Sequence, residues 1–278
     1  MPHHMLQRSI HDAISTTTDI DWSICIRNDA GQEIASCNPD TSMRIASVGK
    51  LLLLAEVARQ CDAGELTGLE FLGRDPELLV ADSGIWQYLH VDKLSIHDLC
   101  VLVASVSDNV AANVLLKHIG FERVRDLSDA LGLTGTALLD YVRDHRGPSD
   151  APTLSMGSAT ELLRLMSRQV RQELISRAVS EQLSAWLATG VDLSMVASAF
   201  GFDPLAHAGS DRGFSIRNKT GTNTGIRADV GAIGWKNTWF SYAVIANWEV
   251  ADPGLRDTVL STMNSIGKML REVLQEDM

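Results

Sequence analysis

The sequence predicts an α+β fold, an α/β sandwich in which a five-stranded antiparallel sheet from both chain ends is flanked by helices and joined to an all-helical lobe. Three observations lead there. Apolar and polar residues alternate at strand period near the N-terminus and again in the last third, the middle follows the helical period almost throughout, and Leu255 to Leu274 is one long amphipathic stretch. Strands at both ends with helices between them bring the termini into one sheet. The expected division is residues 1–45 with 205–278 for the sheet lobe and 46–204 for the helical lobe, with a functional site between them.

Leu6, Ile10, Ala13 and Ile14 lie near helical spacing, so a short helix is predicted over 5–16, ended by a polar threonine run. Asp21 to Asp29 alternates, Ala30 and Gly31 supply a turn, and Gln32 to Cys37 resumes the alternation, giving a hairpin. From Ser47 to Cys61 apolar residues are dense and no Gly or Pro follows Gly49; this predicts a helix buried on most sides that begins at or just before Ser47. Glycines, Pro76 and mixed charges break every period between Asp62 and Lys93, where mostly loop with short elements is expected. Ser95 and Asp98 resemble a capping box ahead of Leu99 to Val106, and helices follow over 109–118 and 121–131. Gly132 to Leu154, with Pro148 and Pro152, interrupts them before helices near 156–188 and 192–199. Phe214 to Lys219, Ile226 to Gly234 and Trp239 to Trp248 supply the other three strands.

With 278 residues, 45% hydrophobic and 21% charged, the chain has ordinary globular composition and length for a sizeable core. Acids outnumber bases by 35 to 24, and the net charge of −11 gives no field for holding phosphates, which excludes nucleic acid as an expected partner. No membrane partner is expected either, since the densest apolar run, Leu51 to Ala55, is far too short to span a bilayer. The stretch Met1 to Ser15 has no cationic n-region or long apolar run; it points to the cytoplasm, or to the periplasm or secretion where a leader has been removed. Cys25, Cys37, Cys61 and Cys100 show no CxxC spacing and no histidine cluster, so buried thiols, no metal and no cofactor are expected. The oligomeric state stays open.

Ser47-Val48-Gly49-Lys50 puts a hydroxyl and an amine three apart at the opening of a helix, on one face. A serine is unreactive at neutral pH unless a base takes its proton, and a lysine desolvated by apolar neighbours has the lowered pKa to do so. By itself the spacing also fits an N-cap with a surface lysine. It gains weight from Ser107-Asp108-Asn109 after an apolar helix and from Lys219-Thr220-Gly221 on a strand in the last third.

On these three motifs, in this order, the chain resembles the class A β-lactamases and the wider penicillin-recognising (transpeptidase-like) serine enzymes, from about Asp21 to the final helix. The resemblance implies Ser47 as the acylated nucleophile, Lys50 as the amine that helps remove its proton, and Ser107 as the hydroxyl passing a proton to the leaving nitrogen. It implies that Asn109 positions the lysine and substrate, that Lys219, Thr220, Thr222 and Arg227 hold a substrate carboxylate, and that the N–H groups of Ser47 and Thr222 form an oxyanion hole. Trp86 falls near the aromatic residue that walls the cleft. The implied partner is a small molecule bearing a carboxylate and an acyl group.

Two departures stand out. Class A enzymes carry a Glu-x-x-Leu-Asn segment whose glutamate activates the water that releases the acyl group. Here Leu138 to Thr153 occupies that region, with Val142 aligned to the glutamate when no gap is placed, and Asp144, His145 and Asp150 are the nearby groups able to substitute. Cys100 matches one half of a disulfide of some relatives, but Leu54 stands at its partner position. Three functions follow from this reading: a β-lactamase-like hydrolase with slow or altered deacylation, an esterase, amidase or peptidase of the same fold, and a penicillin-binding or sensing protein acylated without turnover.

Overall fold

In the computed structural model, which describes residues 3–206, 213–236, 238–249 and 254–276, the two chain ends share one sheet. Strands β1 (Ile20–Arg27) and β2 (Glu33–Cys37) form the N-terminal hairpin. Five short strands lie in the middle of the chain: β3 (Met43–Arg44), β4 (Phe71–Gly73), β5 (Lys93–Ser95), β6 (Ala137–Leu138) and β7 (Ser155–Gly157). The long C-terminal strands are β8 (Phe214–Asn223), β9 (Ile226–Trp235) and β10 (Thr238–Trp248). The main sheet runs β2-β1-β10-β9-β8, every pair antiparallel, so β10 meets β1 and β8 remains an edge.

Alternate residues of the sheet enter two apolar clusters. Ile24, Ile26, Ile233 and Val244 pack with α1 (His3–Ser15), through Leu6 and Ile10, and with α8 (Leu255–Glu276), through Val259, Met263, Ile266 and Leu270. Leu193 to Phe200 contributes to this same cluster. Cys25, Val230, Ala243 and Ile245 point the other way, into a cluster built by α2 (Lys50–Asp62), α3 (Ile96–Ser105), α4 (Asn109–Ile119), α5 (Phe121–Ala130), α6 (Ala159–Val170) and α7 (Arg177–Leu187). Because both faces are covered, β10 is buried as a continuous run from Phe240 to Trp248. Helix α2 is buried without a break from Lys50 to Ala58, the outcome its dense apolar sequence predicts.

The structure differs from the sequence expectations at three places. The helix expected near 156–188 is two helices, because Ser158 and Ser176 each accept a backbone N–H three residues on and start a new helix. The helix expected near 192–199 is a short 3-10 segment, Val196–Phe200. The loop regions hold paired short strands, β4 with β5, and β7 with β3 and β6. His207 lies outside the described residues. All four cysteines are thiols, with Cys25 and Cys100 buried. Among the described residues no helix is long and apolar enough to cross a membrane, and no group of three or more His, Cys, Asp or Glu side chains is placed to hold a metal ion.

Candidate active site

Ser47 is the second residue of a 3-10 turn, Ala46–Gly49, that runs directly into α2, so Lys50 follows as the first α-helical residue. Ala46 holds φ at +46°, a left-handed conformation that costs a residue with a Cβ about 1–2 kcal/mol. The fully buried Ser155 secures it: its hydroxyl donates to the Ala46 carbonyl at 2.5 Å, and its own carbonyl accepts the Ile45 N–H at 3.3 Å. Strain is thus placed beside Ser47 and held there by the short sheet of β3 and β7.

Lys50 is 1% exposed, and its Nζ donates to the Ser107 carbonyl (2.7 Å), the Ser107 Oγ (3.3 Å) and the Asn109 Oδ1 (2.8 Å). Lys219, equally buried, donates to the same Ser107 Oγ at 3.1 Å and to the Thr220 carbonyl at 2.9 Å. Two amines therefore converge on one hydroxyl. Burial drives the Lys50 pKa well below the ordinary lysine value, and the neighbouring Lys219 pushes it further down against the opposing pull of Asp108 and Asp82. Burial also lowers Lys219, to about 8, with Asp192 and Asp229 limiting the fall. Ser107 has φ +57°, a second strained residue at the same place.

Asp108, which the motif reading left without a role, organises this region. Its Oδ1 caps α4 by accepting the Ala111 N–H at 2.9 Å, and its Oδ2 accepts the N–H groups of Ile85 and Trp86, both at 2.8 Å. Gly84 is pressed so closely on Asp108 that a Cβ there would lie 2.6 Å from its Cα. The sequence signal was the N-cap position three residues before Ala111.

On the sheet side, β8 packs against the 3-10 turn at van der Waals limit. A Cβ at Gly221 would stand 2.1 Å from the Ile45 carbonyl oxygen, so only glycine lets the strand edge reach the turn that carries Ser47. Gly221→Ala is expected to lower stability by roughly 1–3 kcal/mol. Thermal unfolding of the variant reads the effect.

Ser47, Asn109 and Thr222 line one cavity of about 260 Å³ together with Val80 to Ser83, Val142 to Asp144, Arg146, Thr153, Leu154 and Asn223. Asn109 connects this cavity to the lysines behind it. Thr220 and Arg227 do not line it: Thr220 is buried on β8, and Arg227 donates to the carbonyls of Asn223 (2.9 Å) and Ile226 (2.7 Å) with its guanidinium 5.8 Å over the Trp248 ring. Arg227 thereby holds the β8–β9 turn beside Thr222. The expectation that Trp86 walls the cleft is corrected: its side chain is fully buried in the helical cluster, with Nε1 donating to the Val91 carbonyl at 3.0 Å, because Asp108 draws this segment inward. Asp82 and Ser83 take the wall instead.

Of the three candidate bases, Asp144 alone lines the cavity, where it accepts the Ala81 N–H at 3.0 Å. His145 is exposed and lines a separate cavity, and Asp150 is held by the Gly147 N–H (2.7 Å) and Arg143 (3.4 Å). Val142 faces the Ser47 cavity with its backbone fixed by Asn113, whose amide donates to the Val142 carbonyl (2.9 Å) and accepts the Val142 N–H (2.8 Å).

The fold has counterparts among known proteins. The fold is similar to a β-lactamase from Sphaerobacter thermophilus (TM-score 0.84, 20% identity, covering 99% of this chain and 98% of that one). PBP-A is similarly close, with a TM-score of 0.82 and 19% identity over 98% of this chain and 96% of its own. The chromosome-encoded β-lactamase of Vibrio parahaemolyticus gives 0.78 and 19% over 98% and 100%. At these identities the likeness shows the fold. The profile Beta-lactamase2, the Beta-lactamase enzyme family, matches residues 5–274, and with that match over nearly its whole length the chain belongs to the β-lactamase enzyme family as a β-lactamase-like serine hydrolase.

Proposed function

We propose that Ser47 is acylated by a β-lactam or a related cyclic amide and that the acyl-enzyme is released slowly. The observation that carries this reading is the convergence of Lys50 and Lys219 on Ser107 behind a cavity lined by Ser47. Neutral Lys50 accepts the Ser47 hydroxyl proton as Oγ attacks the carbonyl carbon, and the carbonyl π electrons move onto oxygen. The N–H groups of Ser47 and Thr222 hold that oxygen. When the tetrahedral adduct collapses, the C–N bond breaks and the nitrogen takes a proton from Ser107, which is replenished from Lys50. Thr222 and, from behind the cavity, the Lys219 ammonium take the substrate carboxylate, with Thr220 holding Lys219 through its carbonyl and Arg227 supporting the turn beside them.

Slow release follows from Val142. It lines the cavity at the position aligned with a water-activating glutamate and brings no carboxylate there, and Asp144 is exposed and engaged by Ala81. PBP-A, similar in fold, supplies a parallel in a leucine-to-glutamate variant described as an acyl-enzyme complex with penicillin G. A chromogenic cephalosporin assayed alongside intact-protein mass spectrometry tests the reading. A persistent adduct on Ser47 is expected; rapid turnover would refute slow release, and absence of both adduct and turnover would favour an ester, amide or peptide substrate. Val142→Glu should speed adduct loss by roughly 100-fold or more, the usual contribution of a placed general base.

A further inference from the structure

We propose that the acyl portion of the substrate carries a cationic amine, recognised by Asp82 and Asp144 on the loop wall of the Ser47 cavity. The inference rests on the acylation reading above and says which acyl groups the site prefers. Four charged side chains line this cavity: Asp82, Asp144, Arg143 and Arg146. Both arginines are occupied within their own loop. Arg143 is paired with Asp140 (2.9 Å) and Asp150 (3.4 Å), and Arg146 with Asp140 (2.5 Å) and the Ala151 carbonyl (2.8 Å). The two acids have no ion-pair partner of this kind. Asp144 accepts only the Ala81 N–H, and the Asp82 carboxylate makes no hydrogen bond or ion pair among the described residues, acting on the buried Lys50 only at a distance.

The positions of these acids are built in. The Asp144 bond to Ala81 ties the two loop segments together, and Asp82, next to Ala81, lines the same cavity as Asp144. Asp82 holds φ at +72°, its carbonyl is pinned by Gln87 at 3.0 Å, and Asp108 anchors the residues that follow. Such preorganisation spares the ordering that binding otherwise requires. Positive charge available to a substrate, by contrast, sits on β8, as Lys219. A substrate with its carboxylate toward β8 and an ammonium on its acyl side matches both ends; a second carboxylate on the acyl side meets like charge.

Three penicillins that differ only at the α-carbon of the phenylacetyl group test this: α-amino (ampicillin), α-hydrogen (benzylpenicillin) and α-carboxylate (carbenicillin). The readout is the second-order rate constant for adduct formation on the full chain, followed by intact mass, which does not depend on deacylation. The expected order is amino, hydrogen, carboxylate, each step about fivefold for a solvent-accessible charge contact, narrowing at high ionic strength. In the Asp82→Asn, Asp144→Asn double variant the three rates should converge to within about twofold of one another, whatever their absolute size. Equal rates in the unmodified protein, or an undiminished order in the variant, would overturn the assignment of these acids. If none of the three forms an adduct, the acylation reading itself fails and this inference falls with it, a result distinct from equal rates.

Discussion

Ser47→Ala is expected to abolish the proposed adduct formation with β-lactams, a fall of roughly a millionfold of the kind seen when a serine nucleophile is removed alone. The half-buried Ser47 hydroxyl makes no hydrogen bond among the described residues, and it does not cap the turn that holds it. Stability should therefore shift by no more than about 0.5 kcal/mol. Intact-mass measurement and thermal unfolding of the variant check both statements. A residual adduct would place the nucleophile elsewhere.

Lys50→Ala is the second large effect. It should slow acylation by roughly 100- to 10,000-fold, the range for loss of a positioned base. A pH profile separates a base from a structural lysine. Burial, followed by Lys219, lowers the Lys50 pKa, so the reactive neutral form accumulates as pH rises and acylation rises with it. In the proposed mechanism Lys219 is charged when it holds the substrate carboxylate, and burial lowers its pKa to about 8, so the rate is expected to fall above that value. The unmodified protein should give a bell. In Lys50→Ala the rising limb should vanish while the falling limb near 8 remains; a rising limb that persists would reassign the base.

The motifs were legible because each is local: Ser47 with Lys50 is one turn of chain, and Ser107 to Asn109 and Lys219 to Gly221 are contiguous. The main sheet was legible because β1 and β2, and then β8, β9 and β10, keep strand period beside clear turns. The cavity wall was not. Asp82 and Ser83 stand at the wall where Trp86 was expected because Asp108, more than twenty residues away in sequence, draws the Ile85 and Trp86 N–H groups inward, and no period within the loop records that bond. The break between α6 and α7 was hidden for a different reason, since neither Gly nor Pro marks it and Ser176 reads as an ordinary helical serine. The close approach of Gly221 to Ile45 likewise depends on two segments far apart in the chain.

The clasp of Asn113 on Val142 has a consequence for how this lineage changes. Because the amide grips only main-chain atoms, these two bonds do not depend on which side chain stands at that position, and the side chain itself is only partly buried against the helical cluster. Chemistry at the position is thereby uncoupled from architecture, and valine and glutamate codons differ by as little as one base. A protein that captures an antibiotic and one that destroys it would then be mutational neighbours, separated by a step that selection can take in either direction without first rebuilding the scaffold.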